Sequence, residues 1–576
     1  MSAEKLITDH IDIWTSSIQA KSASGRGSSK KRELYGIKKL RELILELAVR
    51  GKLVPQDPTD EPANNILARS IAIKESLLTE GKIKKSRAKK DIKEEHFYDY
   101  PASWATAKIE DLIQVINGRA YKKSEMLSSG IPILRVGNLF TSNEWYYSDL
   151  DLDADKYIDR GDLIYAWSAS FGPFIWEGSR VIYHYHIWKM DIFHDGALDK
   201  NFSKLFLQAI SERIKASGNG IAMIHMTKER MEKVVHPLPP IEEQRRIVAK
   251  VDELMTLCDQ LEQQTEASLD AHQVLVETLL ATLTNSQDAT ELMANWGRIS
   301  EHFDTLFTTE QSIDQLKQTI LQLAVMGKLV PQDPNDEPAA KLLERIAEEK
   351  AQLVKEKKIK MQKALPPIAE DEKPFELPNG WEWVKFGELS EFINGDRSKN
   401  YPNKDEYVDQ GIPWINTGHI EPDGTLTTKD MNFITKEKFD TLRSGKIIHT
   451  DLVYCLRGAT FGKTAFVSPY VEGAIASSLM IIRPYNVSLR EFFYTYLISP
   501  FGHSQIFRFD NGSAQPNLSA NSVMLYAFPC PPIEEQIRIT TKVRELFLMC
   551  DQLKQRLRDS QQTQLQLTDA IIEQPL

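Results

Sequence analysis

Sixteen letters occur twice in this chain, differing at two positions: AVRGKLVPQDPTDEPA from Ala48 to Ala63 and AVMGKLVPQDPNDEPA from Ala324 to Ala339. A repeat of this kind means that one supersecondary plan is built twice. Followed outward, three blocks recur in the same order. The first adds the preceding residues, LRELILELAVRGKLV against LKQTILQLAVMGKLV. The second is YPASWATAKIEDLIQVINGRA (Tyr100 to Ala120) against LPNGWEWVKFGELSEFINGDR (Leu377 to Arg397), and each copy runs on to a Gly-Ile-Pro at Gly130 or Gly411. The third is PPIEEQRRIVAKVDELMTLCDQLE (Pro239 to Glu262) against PPIEEQIRITTKVRELFLMCDQLK (Pro531 to Lys554). Ala48 to Ala324 is an offset of 276 and Pro239 to Pro531 one of 292, so the second copy gains 16 residues between a constant pair of frames.

The third block reads as a helix with a built start. Pro240 or Pro532 suits the first turn, and the pairs Glu242/Glu243 and Glu534/Glu535 complement the positive end of the dipole. Ile247, Val251, Leu254, Cys258 and Leu261 recur at steps of four and three, as do Ile539, Val543, Leu546, Cys550, Leu553 and Leu557. That seam packs helix on helix, as a coiled coil or as an ordinary amphipathic core helix. The absence of Gly and Pro from Ile241 to Leu283 favours one long helix, roughly 60 Å at about 1.5 Å per residue. The first block is helical until Val54 or Val330, punctuated by Gly51 or Gly327. Between the second and third blocks, short β-rich runs such as DLIYAW (Asp162 to Trp167), RVIYHYHIW (Arg180 to Trp188) and DLVYCLRG (Asp451 to Gly458) alternate with Gly, Asn and Ser turns. The order is helix, globule, long helix, twice over. Half of a repeat lies at each end, so the ends should meet, and the polar TNSQDATE stretch around Ser286 offers a place to open the chain.

Composition narrows the function. Hydrophobic residues at 41% and charged residues at 26% are ordinary for a globular protein. No apolar run reaches the roughly 18 residues of a membrane span, and the N-terminus lacks the apolar core of a secretory signal, so a cytoplasmic location is expected. Cys258, Cys455, Cys530 and Cys550 form no CxxC pair and read as buried thiols. A net charge of −10 argues against nonspecific coating of nucleic acid, because phosphate neutralisation dominates that affinity. The runs Ser29 to Arg32, Gly81 to Lys90 and Lys355 to Lys363 are basic, which a solvated helix face also explains.

The chain's near-matches to catalytic motifs lack the residues their chemistry needs. GATFGKT, Gly458 to Thr464, has three residues between its first Gly and GKT where a phosphate loop needs four. The two Pro-Pro pairs of the third block continue into Ile-Glu, which is not the Asn/Asp-Pro-Pro-aromatic tetrad of an amino-methyltransferase. No carboxylate and Lys set stands at a strand end as a metal-dependent nuclease requires. His184 and His186 share one side of a strand without an evident third metal ligand, and packed or surface histidines explain them more simply. The chain reads as a binder and not a catalyst.

LPPIEEQRRIV and CPPIEEQIRIT after the two globules, LPNGWEWVKFGEL at the start of the second and NGSAQPNLS near its end together resemble the specificity subunits of type I restriction-modification systems, over most of the chain from about Leu34 onward. Its length and extended N-terminus resemble the longer, IB-like subgroup. The resemblance implies an α+β fold with two mixed α/β target-recognition domains separated by long antiparallel coiled-coil helices in a pseudo-twofold repeat. The segments would be 1–33, an N-terminal extension with a flexible basic linker from Ser22 to Lys31; 34–96, a helical conserved region; 97–238, the first target-recognition domain; 239–372, a central helical spacer; 373–530, the second target-recognition domain; and 531–576, a C-terminal helix. It implies that each domain reads half of a bipartite site in double-stranded DNA while the helices dock two methyltransferase subunits, with two restriction/translocase subunits in the full complex. No cofactor is expected in this subunit; S-adenosylmethionine, ATP and Mg2+ would be held by the others. The competing reading is a symmetric coiled-coil adaptor whose globules bind proteins.

Candidate DNA contacts collect in loops rich in Arg, Lys, Asn, Ser and aromatics. The first globule offers Arg119, Lys122 and Lys123 in NGRAYKK, Arg135 and Asn138 in RVGN, Ser168 and Ser170 in WSAS, and Asn219 and His225 in GNGIAMIHM. The second offers Arg397 and Lys399 in NGDRSKN, Asn416, Thr417 and His419 in NTGH, Arg457, Thr460 and Lys463 in LRGATFGK, and Asn511, Ser513, Gln515 and Asn517 in NGSAQPN. Arg and Asn can pair bidentately with guanine and adenine edges, while Ser, Thr and Lys hold phosphates. The first globule carries 16 basic against 18 acidic residues from Tyr98 to Pro240, so any binding face must be a local patch.

Overall fold

The computed structural model describes residues 3–20, 32–83, 96–168, 171–217, 226–457, 460–509 and 518–573. The chain divides into two compact units, Met1–Ser268 with Ser560–Leu576, and Leu269–Asp559. The Ser22 to Lys31 linker and most of Gly81 to Lys90 lie outside the described residues.

In the first unit, the expected N-terminal extension contains two short helices, Ala3–Thr8 and Ile11–Ser16. They bury Trp14, whose indole N–H donates to the Ile7 carbonyl at 3.1 Å. Helices this short carry no periodic signal of their own, which is why the sequence reads only as an extension. Helix α1 (Tyr35–Val49) follows, then α2 (Ala63–Thr79). Strands β1 (Ala105–Lys108), β2 (Ile113–Asn117), β3 (Ile131–Leu134), β4 (Tyr146–Ser148), β5 (Tyr157–Ile158), β6 (Leu163–Ala166), β7 (Gly172–Ile175), β8 (Val181–Tyr183), β9 (Ile187–Ile192) and β10 (Val235–Leu238) build the globule, with α3 (Lys200–Ser217) between β9 and β10. Helix α4 (Ile241–Asn285) then continues into the second unit.

The second unit repeats the plan with α5 (Glu310–Val325), α6 (Ala339–Lys355), β11 (Glu382–Lys385), β12 (Ser390–Asn394), β13 (Ile412–Ile415), β14 (Asn432–Ile434), β15 (Lys446–Ile448), β16 (Leu452–Cys455), β17 (Thr464–Phe466), β18 (Glu472–Ile475), β19 (Leu479–Pro484) and β20 (Ala527–Cys530). Helices α7 (Arg490–Leu497) and α8 (Pro500–Arg508) precede β20, and α9 (Ile533–Glu573) ends in the first unit. The first globule holds sheets β4-β3-β8-β5 and β2-β9-β6-β7 with the pair β10-β1. The second holds β14-β13-β18-β15, β12-β19-β16-β17 and β11-β20, the same topology strand for strand. In each, one parallel pair, β3 with β8 or β13 with β18, sits among antiparallel neighbours. Strands β6 (LIYA) and β16 (LVYC) are buried at every position, the continuous apolar pattern of a strand covered on both faces. The Asp before each is an anchor. Asp162 accepts from the Asp159 N–H at 2.8 Å and meets Lys189 at 2.7 Å. Asp451 accepts from the Ile448 N–H at 2.8 Å and meets Arg483 at 2.7 Å.

The repeated sixteen letters form an internal clasp. Helix α1 ends at Val49, five residues before the expected Val54, because Gly51 turns into the left-handed region (φ +69°) and the Lys52 N–H reaches back to Leu47 at 2.9 Å. Gly327 (φ +67°) and the bond from Lys328 to Leu323 at 2.9 Å end α5 at Val325 in the same way, again short of the expected Val330. A Cβ on Gly51 would lie 2.6 Å from Pro101, and one on Gly327 2.4 Å from Pro378, so the turn lies on the start of the next globule. The Trp104 indole donates to Glu243 at 3.0 Å and Trp381 to Glu535 at 2.8 Å. Asp60 grips Arg246 through both oxygens, and Asp336 grips Arg538. Only the first Glu of each pair is therefore left to the dipole; Glu243 and Glu535 are buried, and burial holds their carboxyls above the usual range against the opposing pull of the indole.

The long helices pair within each unit. Arg41 of α1 bridges Asp259 (2.7 Å) and Glu262 (2.6 Å) of α4. In the second unit Glu310, Asp314 and Lys317 of α5 pair with Arg558, Lys554 and Asp551 of α9, a descending register that makes the two helices antiparallel. Ile247, Val251, Leu254 and Cys258 are buried and Leu261 half-buried; Ile539, Val543 and Cys550 are buried and Leu546 and Leu553 half-buried. Leu254, Cys258 and Leu261 join Ile7, Ile11 and Trp14 around a cavity of about 300 Å3. Both chain ends lie in the first unit, where Ser17 meets Thr568 (2.7 Å) and Tyr35 donates to Asp569 (2.7 Å). The TNSQDATE stretch is not an open loop: Ser286 is buried, its hydroxyl takes the Asn295 amide at 2.9 Å and its carbonyl the Lys328 ammonium at 2.8 Å. The basic run from Lys355 leaves helix α6 at its first residue.

Candidate nucleic-acid interface

Three of the loops picked out in the first globule close on one turn, the Tyr183–Ile187 connection between β8 and β9. The Arg119 N–H donates to the Tyr183 carbonyl (3.1 Å) and the Tyr185 N–H to that of Arg119 (3.1 Å), just past β2. His184 donates to Leu134 at the end of β3 (2.9 Å), and Trp167 at the end of β6 donates to His186 (3.1 Å). Gly118 allows this: a Cβ there would sit 2.4 Å from the His184 carbonyl oxygen. The second globule copies the frame around Ile475–Leu479. Gly395 donates to Leu479 (3.4 Å), Ala476 to Ile415 (2.7 Å) and Leu456 to Ser478 (2.9 Å), and a Cβ on Gly395 would lie 2.4 Å from the Ala476 oxygen. The bonds from the second and third strand ends and the close approach of the glycine recur, the reciprocal Arg119 bonds do not, and the side chains differ.

The candidates among the described residues fall into three groups. Lys122, Lys123, Arg397, Lys399, Arg457 and Lys463 are exposed on these loops, with Ser168, Thr417 and Thr460 half-buried beside them. Arg119 is half-buried in a fork with Glu125 (2.7 and 3.1 Å), and Arg135 lies 4.3 Å over the Tyr146 ring and donates to the Glu144 carbonyl at 3.3 Å. Asn138, Asn416 and His419 serve their own turns. Asn138 accepts from Arg135 N–H (3.1 Å) and donates to Glu144 (2.7 Å); Asn416 accepts from Gly418 N–H (2.8 Å); buried His419 accepts from Asn416 N–H (3.1 Å). Ser170, Asn219, His225, Asn511, Ser513, Gln515 and Asn517 lie outside the described residues.

The aromatic residues at the centre of the first frame were not among the candidates. His184 and Tyr185 have ring centroids 4.4 Å apart, Tyr185 and His186 4.0 Å, and Trp167 stands edge-on to His186 at 5.1 Å while stacking on Trp188 at 5.7 Å. Burial, with lesser contributions from His186 and Arg135, pushes His184 down to about 4, so its ring is neutral at ordinary pH. The available signal was YHYHI itself, a turn of polar rings between two strands. Among the described residues no cluster of His, Cys, Asp and Glu forms a metal site.

A family model for the type I restriction modification DNA specificity domain matches residues 101–271 and again 378–560. The type I restriction enzyme EcoAI specificity subunit of Escherichia coli is 40% identical over all of this chain and 99% of its own length. The EcoEI specificity subunit of Escherichia coli is 39% identical over the whole of both chains. Among solved structures, a chain from a study of complex assembly and conformational transition of the type I R-M system gives a TM-score of 0.47 at 17% identity over 83% of this chain and 98% of that one. The HsdS subunit of Thermoanaerobacter tengcongensis gives 0.40 at 17% identity over 82% and 96%. By its full-length relatives and its twofold domain match, the chain belongs to the type I restriction-modification specificity family, whose members are non-catalytic and supply the DNA specificity of a restriction-modification complex. The protein-binding adaptor is set aside.

Proposed function

We propose that each globule, residues 97–238 and 373–530, reads one half of a bipartite site in double-stranded DNA, and that the helical segments 34–96, 239–372 and 531–576 dock two methyltransferase subunits. Two restriction/translocase subunits complete an assembly that methylates adenine or cuts with ATP. S-adenosylmethionine, ATP and Mg2+ belong to those partners, and the assembly works in the cytoplasm. The observation that carries this reading is one ten-strand frame built twice with different side chains at its convergent loops. Constant frames suit two copies of one partner; divergent loops suit two unrelated half-sites. Leu257 and Met549, equivalent in the repeat, are exposed apolar residues on α4 and α9 and fit a docking role. The exposed cations of both globules fit phosphate contacts that position the duplex.

The test exchanges Tyr98 to Val235 for the matching segment of another specificity subunit, then methylates a randomised duplex library with the complex and sequences the products. One half-site should change while the other half and methyltransferase binding persist. A swap that altered both halves, or neither, would refute the modular reading.

A further inference from the structure

Resting on that reading, we infer that the connection between β8 and β9 in the first globule, His184-Tyr185-His186, and its counterpart between β18 and β19 in the second, where Ser477 and Ser478 follow the buried Ala476, are the elements that meet the bases. Position, rigidity and chemistry carry this.

The first is position. In each globule three separate strand ends close on this turn by backbone hydrogen bonds, with the exposed Lys122 and Lys123, or Arg397 and Lys399, on the loop that follows the first of them. Base readout needs side chains that reach base edges set among phosphate contacts, because the phosphates fix the register in which the bases are read. The second is rigidity. Gly118 and Gly395 leave no room for a Cβ against the turn, and the Trp167 indole donates to the Tyr185 carbonyl at 2.9 Å. A turn held at four points keeps its side chains where they were built. The third is chemistry. Tyr185 is 40% exposed although it is aromatic, and its ring is braced by its two imidazole neighbours. A neutral imidazole brings one donor and one acceptor to a base edge, and a phenol brings a hydroxyl and an apolar face for a thymine methyl.

The second globule decides between scaffold and reader. Were the three rings only packing, the equivalent turn would need bulk as well, yet with the corresponding bonds to Ile415, Leu456 and Gly395 it carries a buried methyl and two half-buried hydroxyls, without the Arg119 bonds of the first turn. The fold does not require the rings. Their replacement by Ser477 and Ser478, beside the exposed Arg457, changes the hydrogen-bonding pattern offered while leaving the frame in place.

The experiment uses the full chain with its methyltransferase partner, S-adenosylmethionine and the randomised duplex library. Tyr185→Ser alone, and His184→Ala, Tyr185→Ser and His186→Ser together, are compared with the exchange of Tyr98 to Val235. The expected result is a roughly 10- to 100-fold change of preference at one or two base pairs of a single half-site, with the other half unchanged. If the triple variant does not fold, Tyr185→Ser at its exposed position decides. Preference unchanged, or activity reduced alike on all sequences, while the segment exchange still alters one half-site, overturns the inference and leaves the proposed function standing. An exchange that alters neither half-site fails the proposed function itself.

Discussion

At the residue scale the two copies differ in ways that should show as measurable asymmetry. His236 on β10 is fully buried, its Nδ1–H donating to the Pro237 carbonyl (2.6 Å) and its Nε2 facing the Ser203 hydroxyl (3.1 Å). The equivalent residue on β20 is Phe528, packed 5.3 Å from Phe493 in the place of Ser203. Burial pushes His236 down to about 4, well below its ordinary 6.5, despite the opposing Pro237 bond. The unfolded chain therefore takes up the proton first as pH falls. The stabilisation is whole above pH 6.5 and drains away between 6.5 and 4, by about 3 kcal/mol at about 1.4 kcal/mol per unit. Hydrogen exchange across residues 97–238 should show protection falling through this window in the parent. His236→Phe with Ser203→Ala, which leaves no buried hydroxyl without its partner, should flatten that dependence. A parent profile already flat from pH 6.5 to 4 would refute the assignment.

At the element scale the turns and seams separate what sequence can show from what it cannot. Gly51 and Gly81 both end helices at positive φ, +69° and +71°, but a Cβ on Gly51 meets Pro101 at 2.6 Å and Trp104 at 2.7 Å while one on Gly81 meets nothing within 4 Å. Gly81→Ala should cost about 1 to 2 kcal/mol, the left-handed backbone alone. Gly51→Ala should cost clearly more in urea denaturation, and equal costs would mean that the turn does not lie against the globule. On α4, Leu254 is 6% and Leu257 46% exposed, three residues apart. Leu254→Asp buries a charge and should lose about 3 kcal/mol or more; Leu257→Asp should leave the melting temperature within a few degrees and weaken methyltransferase binding. The seam was readable because a period of four and three states which face is inward. The roles of Asn138 and His419 were not, since a polar side chain looks alike whether it faces a base or its own turn. Nor was the β8–β9 turn, which gains its setting only where residues 119, 134, 167 and 184 come together.

At the scale of the whole molecule, the order of the blocks implied that the two ends belong to one body, and the first unit does unite them through Ser17 with Thr568 and Tyr35 with Asp569. A chain whose ends share a unit tolerates joining them and opening elsewhere, provided that the new break severs no buried hydrogen bonds. Sequence pointed to Ser286 for the break because its neighbours are polar. Polarity there reports capping and not exposure: Ser286 is 2% exposed, holds Asn295 and Lys328, and precedes Asp288, whose carboxylate caps the helix Ala289–Glu301 at the Glu291 N–H (2.8 Å). The irregular stretch after α6 is the better site, with Met361 87% exposed. A permutant joined from Glu573 to Ala3 through a flexible linker and opened between Lys360 and Met361 should melt within a few degrees of the parent and bind the methyltransferase with unchanged stoichiometry. The same joint opened between Ser286 and Gln287 should lose about 2 to 4 kcal/mol, the cost of placing two new charged ends in a buried turn and loosening the hold of Ser286 on Lys328 and Asn295. Calorimetry and size-exclusion chromatography with light scattering read both outcomes. An unfolded Lys360/Met361 permutant would mean that the contacts of Ser17 and Tyr35 with the last turns of α9 do not hold the ends together.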